Sequence, residues 1–302
     1  MNTDNTKPKS LGQLLNRRQI LWLIGLAIAN LLLSLWMGQQ AYSWMPPEAS
    51  AEAIMVDRLF SFMTTMGSFI FFGVVGTLLY SIIFQRAAKY DASDGPPIEG
   101  NVKLEVIWTA IPILLVVWIA ATSYQTYRDM SILGPIIDEA AVAPPTEIQP
   151  IAVRARQWAW EFYYPEADIS STELHLPINQ RAHFALTSED VLHGFYVPAF
   201  RVKQDVVPGK EIAFSFTPIR LGRYRLRDSE YSGTYFAANQ TDVVVESVDD
   251  YQQWLAMAAN TPATAAPNVA YDEFKKVSKR SGFRWETIKP APAPIVNYSD
   301  RP

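Results

Sequence analysis

Ile151-Ala-Val-Arg-Ala-Arg156 is followed, one residue later, by Trp158-Ala-Trp-Glu-Phe162. Side chains alternate between the two faces of a strand, so both stretches read as short, half-buried strands. The same alternation returns at Ala182-His-Phe-Ala-Leu186, Glu211-Ile-Ala-Phe-Ser-Phe216, Arg223-Tyr-Arg-Leu-Arg227 and Asp242-Val-Val-Val-Glu246. Turn chemistry separates the runs: Pro177-Ile-Asn179, Pro208-Gly209 and Leu221-Gly222. Short strands spaced by such turns predict a β-sandwich or barrel over residues 148–259, closed by a helix at 249–259.

Outward from this region the composition changes. Of the 302 residues 49% are hydrophobic and only 19% charged, below the usual charged share of about 25% for soluble domains. The apolar excess lies before residue 125. Residues 20–37, 59–84 and 106–123 are long runs without a charge, each near the length that crosses roughly 30 Å of hydrocarbon. Residues 1–19 are polar and basic. The run at 20–37 exceeds a typical signal-peptide core, so it reads as a retained helix, with a cleaved signal ending near Ala49 or Ala51 as the alternative. Arg17-Arg18 reads as a positive flank rather than a twin-arginine signal. Gly67, Ser68, Gly73 and Gly76 give the second run a surface that a neighbouring helix backbone can approach closely. Pro112 interrupts the third, as membrane helices allow.

Loop charges orient the chain. Lys7, Lys9, Arg17 and Arg18 precede the first run, and Arg86, Lys89 and Lys103 lie between the second and third. Between the first and second runs only Arg58 is basic. The positive-inside rule places the N-terminus and the 85–105 loop in the cytoplasm and everything after residue 124 on the outer side. The predicted organisation is a cytoplasmic segment 1–19, a first span 20–37, a transmembrane hairpin 59–124, a linker 125–147, the outer β-domain 148–259 and an Ala/Pro-rich tail 260–302. That tail is expected to be extended, and packed on a partner where ordered. The fold class is therefore two or three transmembrane helices followed by a β-sandwich.

Composition also excludes chemistry. The chain contains no cysteine, so it cannot form disulfides, thiolate metal sites, iron–sulfur clusters or a cysteine-bridged copper centre. A net charge of −4 gives no reason to expect nucleic-acid binding. His175, His183 and His193 lack the short spacings of a metal motif and read as structural. Trp158 and Trp160 share one strand face and read as core, unless that face is exposed for docking or electron transfer. Glu105, at the cytoplasmic end of the third run, reads by itself as an interfacial charge. Nucleophile-elbow and phosphate-loop motifs are missing, so any reaction belongs to a larger assembly.

Three segments carry a family resemblance. Leu104-Glu-Val-Ile-Trp-Thr-Ala-Ile-Pro112 resembles the second-helix signature of subunit II of haem-copper terminal oxidases. Arg156-Gln-Trp-Ala-Trp-Glu-Phe-Tyr163 is similar to that family's aromatic strand. Asp190-Val-Leu-His-Gly-Phe-Tyr-Val-Pro-Ala-Phe-Arg-Val-Lys-Gln-Asp-Val-Val-Pro-Gly209 resembles its D-V-x-H-x-F…K-x-D-x-x-P-G stretch. The resemblance implies a membrane-anchored, cupredoxin-like outer domain.

In cytochrome c oxidising members that domain binds a dinuclear copper through the D-V-x-H histidine and a C-S-E-x-C-G-x-x-H-x-x-M segment. His193 keeps the first position. The second segment reads Asp228-Ser-Glu-Tyr-Ser-Gly-Thr-Tyr-Phe-Ala-Ala-Asn239, so Asp228 and Ser232 stand for the cysteines, Phe236 for the histidine and Asn239 for the methionine. Carboxylate and hydroxyl oxygens do not replace bridging soft sulfur. The resemblance is therefore to copper-free quinol oxidases of the bo type and to the alternative respiratory terminal oxidases of cyanobacteria.

Several further expectations follow from the resemblance. Subunits I and III are partners, haem and copper reside in subunit I, and quinol is the donor. Glu105 matches a proton-entrance glutamate. Glu230 matches a ligand of an interfacial magnesium or manganese, with Asp228 as a possible second oxygen. The complex sits in a bacterial plasma or thylakoid membrane, with the C-terminal domain periplasmic or lumenal. The alternative is a docking or assembly module for an electron carrier, or a cytochrome c oxidase subunit that bypasses the dinuclear copper. Replacing His193 is expected to alter stability only slightly.

Overall fold

A computed structural model describes residues 17–84, 86, 90, 100–130, 150–262, 266 and 268–278. Most of the predicted 125–147 linker and of the basic N-terminus lies outside these residues. The chain forms two compact units, one of Met1–Trp44 with Asp57–Ala120 and one of Met45–Val56 with Ala121–Pro302.

The first unit is helical. Helices α1 (Arg17–Ala41), α2 (Ala51–Phe84) and α3 (Val102–Met130) are each long and apolar enough to cross a membrane. All three run beyond the uncharged stretches, because a helix continues through its polar flanks until a cap or turn ends it. Asn101 starts α3, its Oδ1 accepting from Lys103 N and Leu104 N. Helix α1 packs on α2 through small and polar side chains. Asn30 Nδ2 donates to Phe69 O at 3.1 Å, and Ser61 Oγ donates to Gly38 O at 2.8 Å. A Cβ at Gly38 would meet Thr65 Oγ1, so the backbones approach as closely as small residues permit.

The second unit is a two-sheet sandwich. Its strands are β1 (Ile151–Arg156), β2 (Ala159–Tyr164), β3 (Ile169–Ser171), β4 (Leu174–Pro177), β5 (Ala182–Ser188), β6 (His193–Val197), β7 (Val202–Val206), β8 (Ile212–Phe216), β9 (Gly222–Asp228) and β10 (Gln240–Glu246). One sheet has the order β3-β2-β1-β5-β8 and the other β4-β10-β9-β6-β7. The pairs β1–β5 and β4–β10 are parallel and the rest antiparallel. The predicted alternation is seen directly: Trp160, Phe162 and Tyr164 point inward from β2, and Phe184 and Leu186 from β5. They meet Phe195, Phe214, Phe216 and Tyr224 in one aromatic-rich core. Each such ring removes roughly 150–250 Å² from water, and this burial carries a domain without disulfides.

Two additions hold the sandwich edge. The segment before α2 threads in, with Ala49 N donating to Ala199 O and Ala51 N to Thr217 O. Glu52, buried there, accepts from Arg181 at 2.9 Å and from Thr217 N at 3.0 Å, so its charge is compensated. Helix α4 (Val248–Ala259), capped by Ser247 on Asp250 N, lays Leu255 and Trp254 on the core.

Two expectations need correction. The tail after residue 260 is not extended throughout: Val269–Ser278 forms helix α5 and packs on this chain's own sandwich. Trp158 and Trp160 do not share the core. Trp160 belongs to it, whereas Trp158 precedes β2 and lies in a separate cluster with Tyr235 and Ala270. The strand begins only at Ala159, so alternation does not govern the residue before it.

Candidate functional site

Strand β9 alternates inward at Gly222, Tyr224, Leu226 and Asp228. The pattern that buries a tyrosine and a leucine therefore buries a carboxylate at the strand's last position. Strand β6 pairs with β9 through Phe195↔Asp228, which brings His193, at the start of β6, beside it. Ser232 and Asn239 close in from the loop between β9 and β10.

The outcome is a saturated polar cluster. Asp228 Oδ2 faces His193 Nδ1 at 2.6 Å and accepts from Ser232 Oγ at 2.8 Å and Asn239 Nδ2 at 3.1 Å. Asp228 Oδ1 accepts from Gly194 N at 2.8 Å and Glu230 N at 3.1 Å. His193 Nε2 faces Asp190 Oδ1 at 2.8 Å, while Asp190 Oδ2 accepts from Gln157 N at 2.7 Å. His193 and Asn239 are fully buried, and Asp228 and Ser232 nearly so.

An imidazole with a carboxylate at each nitrogen is a donor at both and carries its proton. Burial pulls the His193 pKa down, but the hydrogen bonds and charges of Asp228 and Asp190 outweigh it, and the net shift is upward. Burial likewise pushes Asp228 up, yet the bonds from His193, Gly194, Ser232 and Glu230 win and hold it below the ordinary carboxylate value. The cluster is a buried ion pair that ties three loops together. Against the expectation that replacing His193 alters stability only slightly, its imidazole is the partner of the buried Asp228 carboxylate, so its removal is predicted to be costly.

These residues do not fit a dinuclear copper. Both nitrogens of His193 are committed to carboxylates, and both oxygens of Asp228 are filled by five donors. Phe236 is not even part of the cluster. It turns away in the short helix Phe236–Ala238, against Tyr231 and the Trp158 cluster. The structure thus assembles four of the five degenerate positions, His193, Asp228, Ser232 and Asn239, and separates the fifth. Sequence reasoning missed Asp190 as the second carboxylate. Its signal was its place three residues before His193, just ahead of β6, which suits a reach back to the ring.

Glu230 lies outside the cluster with its side chain partly open to solvent, its Oε1 paired to Lys203 Nζ at 2.8 Å. It holds carboxylate oxygens suited to a hard cation, and an ammonium occupies that position here. Asp228 has no oxygen left for a metal. His175 stacks on Trp254 at 3.9 Å and pairs with Glu246, and His183 meets Ser215. Each histidine is used separately. Among the described residues no group of three or more His, Cys, Asp or Glu side chains is set to hold a metal ion. Glu105 is exposed in the first turn of α3, where a carboxylate favours the helix dipole.

The chain matches known proteins along most of its length. The family description "Cytochrome C oxidase subunit II, transmembrane domain" matches residues 34–126, and "Cytochrome C oxidase subunit II, periplasmic domain" matches residues 169–248. Cytochrome c oxidase subunit 2 of Synechocystis sp. is 34% identical over 277 residues, covering 80% of this chain and 82% of that protein. Quinol oxidase subunit 2 of Bacillus subtilis is 28% identical over 218 residues, 70% of this chain and 65% of that protein. The periplasmic domain of subunit II of cytochrome oxidase from Bradyrhizobium japonicum is 24% identical, covering 38% of this chain and 96% of that domain, with a TM-score of 0.36.

Proposed function

The chain belongs to the subunit II family of haem-copper oxidases, and on that premise we propose that it serves a terminal oxidase supplied with electrons by a membrane-dissolved quinol. The observation that carries this reading is the saturated His193–Asp228 cluster. A soluble donor needs an acceptor centre on the aqueous face. Here the corresponding positions hold an ion pair and its hydrogen-bond donors, which carry no redox couple. A quinol reaches the catalytic subunit through the lipid and needs no such relay. Haem, copper and oxygen reduction then reside in subunit I, on which this chain packs with its sandwich as an outer cap and subunit III as a further neighbour.

The carboxylate of Glu105 gathers protons at the cytoplasmic end of α3 and passes them to subunit I. Glu230 supplies one carboxylate to a magnesium or manganese ion at the contact with subunit I, the cation taking the place of the Lys203 ammonium. That ion supplies fixed positive charge and rigidity between the subunits. The N-terminus lies in the cytoplasm, and the sandwich is periplasmic or lumenal.

The purified complex should oxidise quinol and leave reduced cytochrome c unchanged. Rapid cytochrome c oxidation would overturn the donor assignment. Glu105→Ala should slow turnover at least about tenfold, less than the roughly 10²–10⁴-fold of a group that transfers a proton in the transition state itself, in a complex that still assembles. Unchanged oxygen consumption would return Glu105 to an interfacial charge. A second reading has a specific basis: the relative at 34% identity is named a cytochrome c oxidase subunit. In that reading cytochrome c passes electrons to subunit I without a relay here, and the same assay separates the two.

A further inference from the structure

Trp158 sits on the sandwich surface outside its core, yet only 4% of it is exposed. Its cover comes from a distant part of the sequence. Helix α5 carries Ala270, Phe274 and Val277 at helical spacing, with Glu273 partly buried beside them and paired to Lys276, and with Asp272, Lys275 and Lys276 exposed. Ala270 and Val277 are buried. The Phe274 ring meets Trp158 edge-on at 5.4 Å, and Tyr271 lies at 6.4 Å. Tyr235 closes the other side at 5.2 Å, with Phe236 and Ala238 against the cluster. Asn268 fixes the start of the helix, its Oδ1 accepting from Tyr271 N at 3.0 Å and its Nδ2 donating to Gln157 O at 2.9 Å.

Without α5, Trp158, Tyr235 and Phe236 would form a contiguous aromatic patch, the kind of surface that binds proteins. Its floor is rigid. Trp158 Nε1 and Gln157 Nε2 both donate to Ser232 O, at 3.1 and 2.7 Å, and Ser232 Oγ is held by Asp228. Gly233, at φ +110°, lets the loop lie against the indole, since a Cβ would stand 3.1 Å from its Cζ2.

We propose that the surface around Trp158 is a binding site for an amphipathic helix, and that α5 is its tethered occupant, closing this face to soluble protein partners. The tether from Asn260 to Val269 is short. Short tethers give effective concentrations on the order of millimolar, so the chain's own helix excludes a free competitor of equal affinity. This proposal does not depend on the identity of the electron donor.

The test uses the full chain in the purified complex and a fluorescent peptide spanning residues 266–280. Phe274→Asp should release α5, and the variant should then bind the peptide, while the parent binds it at least about tenfold more weakly because its own helix competes. Asn268→Ala loosens only the start of the helix and should fall between them. Because the chain has no cysteine, Ala270→Cys reports seating on the subunit II band. It should react with maleimide at least about tenfold more slowly than an exposed Gln253→Cys, as local protection implies, and the difference should vanish when Phe274→Asp is added. Equal labelling in the parent, equal peptide binding by parent and variant, or no binding by a variant whose sandwich remains folded would each overturn the proposal.

Discussion

Two clusters meet at Ser232 and are closed in opposite ways. Around Asp228 the side chains are charged and polar, and the site is sealed by filling every oxygen of the carboxylate. Around Trp158 they are aromatic, and the site is sealed by laying the apolar stripe of an amphipathic helix over them. A buried charge demands partners at fixed positions, whereas a buried ring demands only coverage. The first closure is therefore specific and brittle. The second is generic and open to competition, which makes it an interaction surface rather than a structural lock.

The largest expected effect comes from breaking the first closure. His193→Phe leaves Asp228 buried without its counter-charge and should cost about 3–5 kcal/mol, read as a lower denaturation midpoint of the sandwich. Asp228→Asn keeps the shape but turns one acceptor oxygen into a donor among the five donors that converge there, and should cost about 1–3 kcal/mol. If both substitutions prove silent, the cluster is not the lock described.

The titration behaviour sharpens the contrast. The folded His193 pKa lies above its ordinary value, so its contribution is complete below about pH 6.5 and fades as pH rises through the higher folded value. Asp228 is held low, so its contribution is present above about pH 4 and fades as pH falls through the lower folded value. Stability should form a plateau between these limits. In Asp228→Asn the alkaline fall should shrink.

Smaller effects follow where the two clusters touch. Gly233→Ala puts a Cβ into Gln157 Nε2 and the Trp158 ring at positive φ. It should cost about 1–3 kcal/mol and speed labelling of Ala270→Cys. Smallest is the membrane counterpart, Asn30→Leu, which removes the bond to Phe69 O. Interhelical hydrogen bonds in lipid average about 0.6 kcal/mol, so thermal unfolding of the detergent-solubilised chain should shift by only a few degrees. Helix α1 would stay packed through Gly38 and Ser61.

Much of the fold was legible because its signals are local. Alternation at Ile151–Arg156 and Ala182–Ser188 sets strands, and uncharged length sets spans. The absence of cysteine and the identities at positions 193, 228, 232, 236 and 239 also stand in the sequence. Less legible were features fixed by encounter. Trp158 looked like a partner of Trp160 because both share parity, but the strand starts between them. The tail looked extended because its prolines dominate, yet Ala270, Phe274 and Val277 carry a helical stripe whose purpose appears only beside Trp158.

The residues alone determined that this outer domain cannot bridge two coppers through cysteine thiolates, since the presence of cysteine is a matter of composition. They determined the layered sandwich too, since period-two burial is written locally. Only tertiary structure decided that His193 lies between Asp190 and Asp228, and that a distant helix covers Trp158. Both depend on groups far apart in sequence coming within a few ångströms, where pairing and coverage take effect.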